Sequence, residues 1–187
     1  LEPEVYSMEL LEGLCERARI AGITAFPIHL KVDSGMHRLG FAPADLPAVG
    51  AYLREHPELR VSSVFSYLAA ADEPDKRDFT ERQAKTFIAA TEALTAALGY
   101  QPKRHLLNTA GIERFPEYAL DMARLGIGLY GVSATWRPGV EPIARLTTVL
   151  LQIRELPAGE AIGYGCRGIT SRPSRIEVIP IGYADGF

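Results

Sequence analysis

The sequence has no run of about 18 apolar residues, so nothing in it reads as a membrane span. Its first residues, LEPEVYSMELLE, are acidic and helical in pattern, whereas an export signal is basic and then apolar. Positive charge is also in short supply: 20 Lys and Arg stand against 23 Asp and Glu, for a net charge of -3. That excludes the field needed to neutralise a series of phosphates or to hold an anionic bilayer, so neither nucleic acid nor membrane is expected as a partner. Cysteine is scarce. Cys15 and Cys166 lie far apart, with no CxxC pair and no histidine at ligand spacing. Free thiols in a reducing, cytoplasmic setting are therefore expected, without a disulfide framework or a metal site. Repeats and low-complexity tracts are absent as well. What the 187 residues do hold is apolar mass, 47% hydrophobic against 23% charged, enough for a globular core.

The first 130 or so residues alternate two periods, as a repeated βα chain does. A helix opens at Ser7, runs through Met8, Leu11, Leu14, Cys15 and Ala18, and ends near Gly22. In FPIHLKVD, Ile28, Leu30 and Val32 alternate with His29, Lys31 and Asp33, which predicts a strand with one apolar face and one face able to do chemistry. Leu46, Val49 and Leu53 mark a second helix, and VSSVFSYLAAAD reads as the next strand. A third helix shows Thr80 and Gln83 as a capping-box pattern, a stripe through Ala84, Phe87, Ile88, Thr91, Leu94 and Leu98, and Gly99 as its stop. RHLLN and IGLYGV supply two more strand candidates. After Trp136-Arg137-Pro138-Gly139 the helical period disappears, and LTTVLLQIREL, PAGEAIGYG and SRIEVIPIGY read as strands joined by turns. The expected organisation is an α/β first domain over residues 1–137 and a β-rich second domain over residues 138–187.

Several residues could carry chemistry. Lys31, Asp33 and Arg38 sit at a strand end, where parallel α/β folds gather ligands, and either hold a carboxylate or form a solvated charge cluster. Arg124 precedes Gly126 and Gly128, whose missing Cβ atoms let backbone N–H groups approach a phosphate or, equally, pack a tight corner. Asn108 and Thr109 could serve the same anion or simply cap a helix. Tyr164 and Tyr183 are flanked by glycines, which stands each ring out from a turn. A phenol used as a base at neutral pH needs a pKa well below about 10, and otherwise it is a hydrogen-bond donor or a packing residue.

Together, KVDSGMHRLGF, LAAADEP, HLLNTAGIERFPEY, DMARLGIGLYGV, GYG and IPIGYADGF resemble the alanine racemase family of fold-type III pyridoxal-phosphate enzymes, in the family's order and spacing, over nearly the whole chain. The resemblance implies a partial TIM-like (β/α)8 barrel followed by the start of a β-rich second domain. It implies pyridoxal 5'-phosphate as cofactor and two-base interconversion of L- and D-alanine for peptidoglycan, in a homodimer with shared active sites. By motif, Arg124 matches the arginine on the cofactor's pyridine nitrogen. Thr109 stands where a phosphate-binding serine is usual, and the backbone at Gly126 and Ile127 matches the other phosphate contacts. Tyr164 matches a catalytic base that works in the partner's site, and Tyr183 a tyrosine at the mouth of the site. Arg38 matches the substrate-carboxylate arginine, Met36 a backbone contact to substrate, and Lys31 a lysine that can be carbamylated to brace that arginine.

Two departures stand out. The lysine that carries the cofactor, and acts as the base on the opposite face of the α-carbon, has no counterpart here. The chain is therefore expected to be an internal segment, inactive by itself. Tyr67 occupies the place of a histidine that usually links the pyridine-binding arginine to the catalytic tyrosine. Alternatives to an alanine racemase are a racemase of serine or another small amino acid, and a non-catalytic cofactor-binding or dimerisation domain.

Overall fold

The structure, a computed structural model, describes residues 1–136 and 138–186. Arg137, at the expected domain boundary, and Phe187, at the end of IGYADGF, lie outside the described residues. Contacts divide the chain into two compact units, Leu1–Ile143 and Ala144–Phe187.

The first unit is built on a four-stranded parallel sheet in the order β1-β2-β3-β4, with strands Glu4–Val5, Phe26–Lys31, Leu59–Phe65 and Lys103–His105. Three helices connect them: α1 Met8–Ile20, α2 Leu46–Glu55 and α3 Arg77–Leu98. Ser7 caps α1 by accepting from the Leu10 N–H at 3.3 Å. Leu11, Cys15 and Ala18 form the buried face of that helix. α2 buries Leu46, Val49 and Leu53, and it approaches α3 so closely that a Cβ on Gly50 would lie 2.6 Å from the Ala97 Cβ. α3 ends at Gly99, which takes the left-handed conformation that a β-carbon disfavours. The apolar residues of the sheet pack against these helices, with Ile28, Leu30 and Val64 fully buried beside Phe87 and Leu94.

The opposite face of the sheet is polar. His29 pairs with Ser63 and Lys31 with Phe65, because the register slips between Ile28 and His29 and leaves Ser62 as an extra residue in β3. Without that bulge the alternation would put Ser62, not Ser63, beside His29.

Some expectations are corrected. Residues 4 and 5 are a strand, not helix, since pairing with β2 satisfies their backbone. α3 starts at Arg77, so Thr80 and Gln83 lie inside it and form no capping box: Thr80 donates to the Ala70 carbonyl at 3.3 Å and to the Lys76 carbonyl at 3.1 Å. IGLYGV is not a strand. Ile127–Tyr130 is a 3-10 turn, because the Gly126 and Gly128 N–H groups are drawn to Thr109 and Gly131 closes the turn at φ 75°. A short helix, α4 Thr109–Arg114, follows β4.

The second unit holds two antiparallel pairs. β5 (Gln152–Leu156) pairs with β8 (Ser174–Val178), and β6 (Ala161–Ile162) with β7 (Gly168–Ile169). LTTVLLQIREL is strand only from Gln152, because its partner ends at Val178 two residues before Pro180, which has no N–H to continue a ladder. Among the described residues of this unit, Thr170 alone is buried.

Candidate functional site

The carboxyl ends of β3 and β4 open onto a cavity of about 560 Å³, lined by Tyr67, Asn108, Thr109, Gly126, Ile127 and Trp136 among others. Local folding sets each wall. Asn108 caps α4, accepting from the Gly111 N–H at 2.9 Å, and its amide reaches the Leu68 carbonyl at 3.5 Å. The capping role foreseen for Asn108 is therefore the one it takes. Thr109 Oγ1 accepts from Gly126 N–H at 3.0 Å and Gly128 N–H at 3.2 Å. With both lone pairs engaged, the hydroxyl keeps only its hydrogen, which makes it a donor to an anion. Gly128 could not be another residue without movement, since a Cβ there would meet Leu125 at 2.8 Å and Thr109 at 2.9 Å.

Arg124 reaches across the strand ends. Nη2 donates to the Ser66 carbonyl at 2.6 Å and the Leu106 carbonyl at 3.3 Å, while Nη1 donates to His105 Nδ1 and, at 3.3 Å, to the His105 carbonyl. Among the described residues Nε–H keeps no protein partner, so it is the donor left for a flat ring acceptor. Burial pushes this guanidinium below the ordinary arginine pKa, opposed by the charges of Tyr67 and Glu4. Phe65 stacks on the His105 ring at 4.9 Å and lies under both Arg124 and Lys31, at 5.1 and 5.6 Å. Burial, then the charges of Arg124 and His29, push His105 down to about 4. The imidazole is therefore neutral at physiological pH and free to accept.

Lys31 is buried and paired with Glu4 at 3.0 Å. Arg38 is exposed, and no bond joins it to Lys31 among the described residues. The loop between them is rigid at its base: Val32 and Phe41 form a bridge, and Gly40, at φ 134°, would place a Cβ 2.5 Å from Asp33 N. Asp33 Oδ1 accepts from the N–H groups of Gly35, Met36 and His37, each at 3.0 Å. Burial alone would raise its pKa, but the bonds from His37 and Gly35 hold it below the usual value. Met36 thus spends its N–H inside this turn. Tyr67 lines the cavity, half exposed, and no hydrogen bond joins it to Arg124 among the described residues. Tyr164 and Tyr183 lie in the second unit on 3-10 turns, 101% and 92% exposed, as the flanking glycines predict.

Residues missed from sequence complete the support. Gln83 is buried; its carbonyl oxygen accepts from Ala69 N–H at 3.0 Å and its amide donates to the Tyr67 carbonyl at 3.3 Å, fastening that wall. Glu113 receives Ser133 Oγ, Ala134 N–H, Thr135 N–H and Thr135 Oγ1. Burial would raise its pKa, but the Thr135 and Ser133 bonds lower it. His105 and Ser63 stand on the polar face of the sheet, where their period-two position was the available signal. Elsewhere, Cys15, His56 and Glu58 gather donor atoms within 4.8 Å of one another, but the Arg19 guanidinium already sits among them, 2.7 Å from Glu58, 3.3 Å from His56 and 3.7 Å from the thiol.

Comparison with known proteins bears on this arrangement. Residues 1–134 match the family described as alanine racemase, N-terminal domain, and residues 143–187 the alanine racemase, C-terminal domain. The alanine racemase of Sorangium cellulosum is 36% identical over 190 residues, covering 100% of this chain and 50% of that protein. The biosynthetic alanine racemase of Pseudomonas aeruginosa is 39% identical over 165 residues, covering 86% and 44%. Among solved structures, the alanine racemase of Streptomyces coelicolor A3(2) superposes with a TM-score of 0.86 at 29% identity, over all of this chain and 51% of that one. That of Bartonella henselae, which carries covalently bound pyridoxal phosphate, gives 0.81 at 26%, over 100% and 50%. The chain spans about half the length of the curated relatives it matches. Part of a TIM-like barrel followed by the beginning of a β-rich domain, it belongs to the alanine racemase family.

Proposed function

We propose that the full-length protein is a pyridoxal-phosphate-dependent racemase that interconverts L- and D-alanine, supplying D-alanine for peptidoglycan in the cytoplasm. The observation that carries this is the donor set at the carboxyl ends of β3 and β4. Thr109 offers a donor-only hydroxyl to a phosphate in the cavity that Gly126 and Ile127 also line, and Arg124, bonded to the Ser66 and Leu106 carbonyls at the same strand ends, offers Nε–H to a ring nitrogen. These residues fit the group. When bound, pyridoxal phosphate supplies an electron sink that acidifies the α-proton of an amino acid.

The chain's own residues then divide the remaining work. Arg124 would hold the ring without a mobile proton, because a guanidinium stays charged. Tyr164 moves a proton on one face of the α-carbon, and its full exposure supports service in the site of a partner subunit within a homodimer. Arg38 and the Met36 carbonyl receive the substrate, with Tyr183 at the mouth. Lys31 would have to leave Glu4 before carbamylation could let it brace Arg38. A domain boundary at 137/138 would lie in the gap between the two matched family regions, ahead of the division that contacts make after Ile143.

The test is α-proton exchange. Full-length protein with added pyridoxal phosphate should exchange the α-hydrogen of alanine for deuterium and racemise it, with serine turned over less well. Faster turnover of serine would shift the substrate assignment. The absent Tyr67–Arg124 bond favours a second reading, a cofactor-binding domain without catalysis. Cofactor binding with no exchange on any small amino acid would establish that one.

A further inference from the structure

The polar face of the sheet carries one unbroken run of hydrogen bonds. Arg124 Nη1 meets His105 Nδ1, and His105 Nε2 meets Ser63 Oγ at 2.9 Å. Ser63 Oγ meets His29 Nδ1 at 2.7 Å, and His29 Nε2 meets Glu2 Oε2 at 2.9 Å. The run crosses β4, β3 and β2 and depends on the bulge at Ser62, which brings Ser63 into register with His29.

The two ends dictate its direction. A guanidinium only donates, so His105 Nδ1 accepts, and the neutral ring carries its hydrogen on Nε2. An ionised carboxylate only accepts, so His29 Nε2 carries the hydrogen and, in the neutral ring, Nδ1 accepts. Ser63 then accepts from His105 and donates to His29, and every hydrogen has one destination. Ser63 and His105 are 1% and 5% exposed, so water does not substitute readily for either partner.

We propose that Ser63 and His29 are positioning residues for Arg124: the polarised run from Arg124 to Glu2 locks His105 as an obligate acceptor and thereby fixes the direction in which Arg124 presents Nε–H. The other guanidinium contacts are to backbone carbonyls on two strand ends, which fix where the fork sits. Among the described residues His105 is the one side-chain acceptor on Nη1, and its ring orientation sets the tilt of the fork. The proposal rests on the reading of Arg124 as the partner of the cofactor ring.

The first experiment needs no cofactor. Nitrogen-15 NMR of the histidine rings in full-length apoprotein at neutral pH should show His29 and His105 each as a single neutral tautomer protonated on Nε2. A charged His105, or either ring protonated on Nδ1, overturns the proposal. Ser63→Ala should make His105 sample both tautomers while circular dichroism stays unchanged, whereas a merely space-filling serine would leave the tautomer fixed. In the holoenzyme, Ser63→Ala and His29→Leu should lower kcat about tenfold with KM for alanine unchanged, and shift the absorbance of bound cofactor. His29→Gln, which can still accept from Ser63 and donate to Glu2, should restore both. Unaltered kcat and spectrum in Ser63→Ala sink the positioning role. Failure to bind pyridoxal phosphate at all would instead sink the cofactor reading, with the NMR result still deciding the direction of the run.

Discussion

The two units of the chain hold their functional residues in opposite ways. In the first, Arg124 and Thr109 are fastened by hydrogen bonds to segments packed over Phe87, Leu94 and Phe115, all fully buried. In the second, Tyr164 stands on the turn that joins β6 to β7 and Tyr183 on a turn after β8, both almost fully exposed, and Ile169 is 68% exposed. An isolated pair of strands has little apolar area to bury. The groups proposed to hold the cofactor therefore sit on a cored scaffold, whereas the tyrosines depend on short turns for their placement. Function and stability should separate along the same line.

The sharpest test is Tyr164→Phe in the full-length protein: racemisation should fall about 10²- to 10⁴-fold, the range for losing a proton-transfer group, with no change in melting temperature. Lost stability there would break the comparison. Phe87→Ala should do the reverse, destabilising the first unit by about 3–5 kcal/mol in denaturant titrations through loss of a fully buried ring.

His105 links the scaffold to pH. Its pKa is lowered from 6.5 to about 4 in the folded protein, so the unfolded chain binds its proton first. The contribution is fully present above pH 6.5 and is lost as pH falls toward about 4. Melting curves across that window should flatten in His105→Gln. Gly128→Ala adds a Cβ against Leu125 and Thr109 and should weaken pyridoxal phosphate about tenfold, near 1.4 kcal/mol, as followed by cofactor fluorescence. Ile169→Ala should change stability by no more than about 0.5 kcal/mol, and a larger loss would show that the second unit buries this side chain in the assembled protein.

Much of this was legible in the residues. The stripes of α1, α2 and α3 declare their helices, and the glycines around Tyr164 and Tyr183 announce turns. The two-residue β1 is not legible, because two residues have no period. Nor is the 3-10 turn at Ile127–Tyr130, whose alternating apolar residues mimic a strand while the decisive Thr109 hydroxyl lies 18 residues earlier. The Arg124–Glu2 run depends on a bulge, and a bulge shifts register without changing composition. Gln83 and Glu113 act on backbone segments distant in sequence, so their own neighbours give no hint of the work they do.

The Thr109 hydroxyl has one further consequence. Because two glycine amides take its lone pairs, the side chain works as a polarity filter: it welcomes an oxygen that offers electrons and rebuffs any group that arrives with its own hydrogen. Serine could replace it at small cost, but valine of the same shape would silence two amides and a donor together.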